Sequence, residues 1–134
     1  MRKLPKRDGF TLIELIITIV IVSILATIGV STFWRAKDRG LEASLQSDLK
    51  TVAVQQEIYF GSRLIYAATP GTLEGFEPSP GVNVAITYAA TDGWAGVATH
   101  PSITGTRCGI LIGAATVGLA DPANAAGIVM CTSN

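Results

Sequence analysis

From Leu15 to Trp34 the chain carries no charged side chain, and the run is entered through a single carboxylate, Glu14. A stretch of that length and character is what an α-helix needs to cross the hydrocarbon core of a bilayer. It is rich in Ile, Val and Thr, which alone would suit a strand, but a single segment in lipid must satisfy its own backbone and is therefore helical. The competing reading is a removable secretory signal with a cut near Ala26. Such signals have an apolar core of only about 7 to 15 residues, so the spanning reading fits better. The acid is what an ordinary anchor has no use for. An ionisable group costs about 2.5 to 3.5 kcal/mol at a bilayer centre on insertion scales, and less near the interface. Something should offset that cost.

The formal balance of ten basic against ten acidic side chains hides a segregation. Arg2, Lys3, Lys6 and Arg7 precede Gly9 with only Asp8 opposing them, so residues 1–9 read as a basic leader. Without it, six basic side chains would face nine acidic ones, a side-chain charge of minus three. Arg35, Lys37 and Arg39 follow the span, which leaves the positive-inside rule nearly indifferent about orientation. Beyond Phe60 the only basic residues are Arg63 and Arg107, against Glu74, Glu77, Asp92 and Asp121. That is no footprint for phosphate backbones, and a dedicated nucleic-acid site is not expected.

After Trp34 the pattern becomes amphipathic. Leu41, Leu45, Leu49, Val52, Ala53, Tyr59 and Phe60 fall at helical spacings, with Glu42, Asp48, Lys50 and Glu57 largely between them. No proline interrupts Phe10 to Phe60, so one continuous helix of about 50 residues, on the order of 75 Å, is the economical expectation. Its halves are residues 10–34, in lipid, and residues 35–60, against a soluble head. Gly29, followed by Val30-Ser31-Thr32, is its weakest helical point, and bending or local melting is expected there.

Residues 61–134 form the head. Pro70, Pro78 and Pro80 with several glycines mark a connecting loop over 61–81, with a short turn at Thr72 to Gly75. Val82, Val84, Ile86 and Tyr88 alternate with more polar or smaller residues, and Asp92-Gly93 reads as the φ-positive pair of a tight hairpin before Trp94 to Thr99. Further strands are expected at Arg107 to Ile112 and Gly127 to Thr132, separated by a Gly/Ala-rich stretch. The fold class is α+β: a long N-terminal helix packed on a small antiparallel sheet. About 100 residues outside the apolar segment suffice for one modest core.

Cys108 and Cys131 are the only cysteines. In a small exported domain such a pair is more often a disulfide than a metal site, which would put the head outside the cytoplasm. Two buried free thiols in strand-like surroundings are the alternative. A closed loop of about 24 residues would stabilise the fold by roughly 3 kcal/mol.

The run Gly9-Phe10-Thr11-Leu12-Ile13-Glu14, with a basic leader before it and an apolar span after it, resembles the class III signal of type IV prepilins and related pseudopilins. The resemblance is detailed to Trp34 and architectural thereafter, including a disulfide-closed C-terminal loop. It implies that a prepilin peptidase and methyltransferase cuts after Gly9 and methylates the new amine of Phe10. The subunit would wait in the inner membrane with its head outward, held in lipid beside an assembly platform. It would then polymerise with other pilin subunits into an extracellular, cell-surface filament. Glu14 would pair with the Phe10 ammonium of a neighbour, neutralising two charges that are individually costly in an apolar core. Many pilins carry a helix-breaking proline where this chain has Ser31, and Gly29 is the natural substitute.

A local reading stands beside that one. Thr11-x-x-Glu14 has capping-box spacing, so Thr11 is expected to cap the helix and Glu14 to bond back to its first amides, for about 1 kcal/mol. The two roles are compatible because a capping carboxylate keeps spare lone pairs. No catalytic, metal or cofactor site is expected. His100, the only histidine, precedes Pro101 and reads as solvated surface. Asp121-Pro122-Ala123-Asn124 supplies two oxygen ligands where calcium takes six to eight, and reads as a turn. A subunit of a type IV pilus is the leading function. A type II secretion pseudopilin is second, disfavoured because major pseudopilins generally stabilise the corresponding loop with calcium. A membrane-anchored enzyme or receptor is third, since no convergent polar site is visible.

Overall fold

The computed structural model describes residues 9–132. The basic leader lies, apart from Gly9, outside the described residues. One helix, α1, runs Leu12–Arg63. Its residues up to Lys37 belong to one compact unit, and those from Asp38 belong with the rest of the chain to a second. Helix and sheet together give the expected α+β class.

In the first unit the helix is all there is to describe. It is long and apolar enough to cross a membrane, and no side chain between Leu12 and Lys37 is buried. The hydroxyls that make this segment a poor helix former on propensity are used locally. Thr18 donates to the Leu15 carbonyl at 2.8 Å, Ser23 to Ile19 at 2.7 Å and Thr27 to Ser23 at 2.9 Å. Each polar group is thereby satisfied without a partner helix, as lipid requires.

In the second unit α1 lies on a four-stranded antiparallel meander in the order β1 (Asn83–Ala89), β2 (Gly93–Thr99), β3 (Arg107–Gly113), β4 (Met130–Cys131). Leu45, Leu49 and Val52, spaced to share one helix face, meet Trp94, Ala98, Cys108 and Ile110 in the main core. The other sheet face is covered by the segment after β3. There Ala115, Ala120 and Ala123 are buried against Ala95 and Leu111. Only small residues fit so close: a side chain at Gly109 would run into the Ala120 carbonyl oxygen. A β-bulge between Ile86 and Tyr88 interrupts the β1–β2 register, and the nearby Thr87 hydroxyl donates to the Leu119 carbonyl, tying this cover to the strand.

Several local expectations are corrected. The helix starts at Leu12 with Thr11 as cap, and it passes through Phe60 and Gly61 to Arg63. It stops at Leu64, which takes a left-handed conformation at φ 56° while its N–H still reaches the Phe60 carbonyl at 2.8 Å. Asp48 is not on the solvent side. It is buried, and its carboxylate accepts the Ser79 N–H and hydroxyl, both at 2.8 Å. Gln56 is fully buried and exchanges two bonds with Ala67, accepting its N–H at 2.7 Å and donating to its carbonyl at 2.8 Å. Two polar side chains on the helix's core face thus pin the proline-rich loop. The loop makes the expected turn, with Gly75 at φ 79° and the Phe76 N–H donating to the Leu73 carbonyl at 3.3 Å, and a 3-10 turn at Pro70–Thr72 precedes it.

The hairpin forms where expected but by different means. Neither Asp92 nor Gly93 has positive φ, and the turn sits one residue earlier, at Thr91 and Asp92, flanked by the Ala90 N–H donating to the Gly93 carbonyl at 2.9 Å. Gly93 is needed for close approach instead, because a Cβ there would strike the Ile112 carbonyl oxygen opposite. The last strand is only Met130–Cys131, since Gly127 turns at φ 78°.

Candidate assembly site at the start of the helix

Thr11 and Glu14 are three residues apart, which at 3.6 residues per turn puts their side chains over one another at the helix entrance. The bonds between them are reciprocal. The Glu14 N–H donates to Thr11 Oγ1 at 3.3 Å, while Glu14 Oε2 accepts the Thr11 N–H at 3.0 Å and the Thr11 hydroxyl at 2.8 Å. This is a capping box, and the positive end of the helix dipole favours a carboxylate at the same place. Both bonds to the carboxylate go to Oε2. Oε1 takes none among the described residues, so the box is complete while half of the carboxylate is left to accept from elsewhere.

Phe10 precedes the cap, outside the helix, with 85 % of its surface exposed. Gly9 is also exposed. Nothing among the described residues lies within 4 Å of where its Cβ would be, and its φ is not positive. Among the described residues no steric demand for glycine is seen at position 9.

Gly29 is helical and equally open. Immediately before it the Ile28 carbonyl accepts two hydroxyls, from Ser31 at 3.1 Å and Thr32 at 3.2 Å, in addition to its place in the helix ladder. Back-bonding of this kind competes with the ladder and softens a helix locally. Val30 and Thr32 are expected as poor helix formers beside Gly29, but the shared Ile28 acceptor is not. The adjacent hydroxyls of Ser31 and Thr32, three and four residues after Ile28, were the available signal.

In the second unit Cys108 and Cys131 face each other across β3 and β4 and are joined, with Cα atoms 4.0 Å apart. The Thr132 N–H donates to the Arg107 carbonyl at 2.8 Å beside the bridge. His100 is half-buried rather than solvated. Its Nδ1 accepts the Ser102 N–H at 3.1 Å and its ring packs over Gly81, which has no Cβ to obstruct it. Among the described residues no cluster of three His, Cys, Asp or Glu is placed to hold a metal ion. The chemistry this arrangement offers is a half-used carboxylate at the mouth of an exposed apolar helix.

Residues 4–30 match the family model of the prokaryotic N-terminal methylation motif. The chain is also 32 % identical over 77 residues to the type IV major pilin protein PilA of Myxococcus xanthus strain DK1622, over 58 % of this chain and 34 % of that relative. The matched stretch thus spans well under two thirds of that relative's length.

Proposed function

We infer, from the premise that this chain belongs to the type IV pilin family in its broad sense, pseudopilins included, that it is a structural filament subunit. On this reading it is no enzyme. Residues 1–9 are removed after Gly9, Phe10 becomes the methylated N-terminus, residues 10–34 lie in the inner membrane, and the head faces outward. Polymerisation moves that helix from lipid into a filament core made by other copies.

The observation that carries the reading is Oε1 of Glu14, which accepts no hydrogen bond among the described residues, at the entrance of a helix whose large apolar side chains from Leu12 to Trp34 are exposed. Cleavage after Gly9 creates an ammonium on Phe10. The two charges are each costly in an apolar core and are offset only when paired with good geometry. Within one subunit the carboxylate already serves Thr11. Its remaining oxygen supplies the acceptor for a neighbour's ammonium, which sets the stagger between subunits. The softened segment from Ile28 to Thr32 lets the helix adjust as it leaves the bilayer. A relative named as a major pilin supports a pilus over a secretion pseudopilus.

Mass spectrometry of the mature protein tests the reading. The expected N-terminal peptide begins with methylated Phe10, and a mature protein that retains its leader would sink the proposal. A deletion strain separates the two filament types: loss of surface fibres is expected, whereas loss of protein export with fibres intact would assign the chain to a pseudopilus.

A further inference from the structure

We propose that the collar at the outward end of the apolar run, Phe33, Trp34, Arg35 and Lys37, binds the phosphate groups of anionic phospholipids in the outward-facing leaflet. The proposal rests on the inserted, head-outward subunit inferred above. From Leu15 to Trp34 the rise along a helix is about 30 Å, the thickness of the hydrocarbon core. With Glu14 at one boundary, Trp34 and Arg35 therefore fall at the other. Phe33 to Lys37 occupy about 6 Å of helix axis, matching a headgroup layer of roughly 5 to 7 Å on each side of the core.

The side chains there suit that layer. Phe33 and Trp34 are 65 % and 54 % exposed, with rings edge to face and centroids 6.0 Å apart. The amphipathic indole of Trp34 settles at the headgroup level, and the Phe33 ring packs beside it on the apolar side. The Lys37 ammonium sits 5.2 Å from the centroid of the Trp34 ring, which holds one cation over an amphipathic plate. Arg35 is exposed and one residue from that plate, adding a planar fork suited to phosphate. Before cleavage, basic side chains flank both ends of the span. Once residues 1–9 are gone, those nearest the span all lie on its outward side. The collar then becomes the main electrostatic attachment of the mature subunit to the bilayer. Each cation near an anionic surface is worth about fivefold in association.

The test uses the full chain with its leader cations replaced (Arg2→Gln, Lys3→Gln, Lys6→Gln, Arg7→Gln), reconstituted in phosphatidylcholine vesicles. Trace spin-labelled phosphatidylglycerol or phosphatidylcholine reports which lipid the protein holds. The glycerol lipid should be preferred by about fivefold or more, and salt should weaken the preference. Arg35→Gln with Lys37→Gln should bring it near unity, and Trp34→Leu should lower it by about twofold with both charges kept. Equal association of the two lipids, or a preference that survives the double substitution, would overturn the proposal. So would displacement by inorganic phosphate beyond that of sodium chloride at equal ionic strength, which would assign the site to free anions. A chain that alkaline carbonate strips from the vesicles would overturn the spanning reading and this site together. An unprocessed Phe10 in cells would defeat the filament reading while leaving the lipid preference intact.

Discussion

The two halves of α1 solve opposite problems with the same backbone. Up to Lys37 every side chain of the helix is exposed, although most are apolar, and each hydroxyl bonds to a carbonyl within its own turn. Beyond Leu41, apolar Leu45, Leu49 and Val52 are fully buried, and polar Asp48 and Gln56 are buried beside them and bonded to a distant loop. The first half is locally complete and globally unsatisfied. Its apolar surface asks for lipid or other copies of itself. The second half is the reverse, because its polar groups need the loop and its apolar face already has the sheet. On the proposed filament reading, assembly belongs to one half and folding to the other, and substitutions in each should report on different measurements.

Replacement of Glu14 should separate the halves most sharply. Glu14→Ala is expected to abolish surface filaments while leaving the head's thermal unfolding unchanged, measured by fibre yield and by circular dichroism of the purified protein. A filament that assembles normally would break the division. Loss of the Cys108–Cys131 bridge comes next. Cys108→Ser with Cys131→Ser should destabilise the head by roughly 3 kcal/mol in urea unfolding, through the lost restraint on a loop of about 24 residues. Membrane insertion of the first half should not change.

Buried polar anchors give the next largest effect. Gln56→Leu leaves the Ala67 N–H and carbonyl without partners, and Asp48→Ala does the same to the Ser79 N–H and hydroxyl. Each should cost about 1 to 3 kcal/mol in the same unfolding experiment, and protease sensitivity of the 61–81 loop should rise. Thr11→Ala removes only the cap, about 1 kcal/mol, so filaments should form in reduced yield rather than disappear.

The smallest effect is on pH dependence, and it belongs to the head alone. Burial, and then a hydrogen bond to Glu57, push the Tyr66 phenol above its usual range, while a hydrogen bond to Asp92 does so first for Tyr88. A raised folded value means the neutral phenol is favoured in the native state. The resulting stability is complete below the ordinary tyrosine value near 10 and fades as pH rises through the higher folded value. Tyr66→Phe should therefore flatten the alkaline loss of stability in unfolding followed from pH 9 to 11, and an unchanged slope would remove Tyr66 from the account.

Much of this was legible from residue order alone. The apolar run, the capping spacing of Thr11 and Glu14, the alternation through Tyr88 and the segment around Trp94 each express a local rule, and the observed elements follow them. What was not legible depended on contacts between distant segments. Asp48 falls at a helical position that composition assigns to solvent, and only the Ser79 amide 31 residues away explains its burial. Gly93 sits in a turn-like dipeptide, yet its requirement comes from the carbonyl of Ile112 across the sheet. The alanines from Ala115 to Ala123 read as low-information loop because small residues carry no periodic signal. They cover a sheet face through closeness rather than size. At the candidate site, the motif was legible in full, whereas the division of labour between Oε2 and Oε1 of Glu14 needed coordinates.

Filaments assembled from a mixture of isotopically light and heavy subunits, each with a photo-crosslinking residue replacing Leu15 beside the retained Glu14, test the central claim most directly. The account predicts mixed-isotope peptide pairs joining the residue-15 region of one subunit to the methylated Phe10 terminus of another. Cross-links confined to single subunits, or reaching only heads, would contradict it.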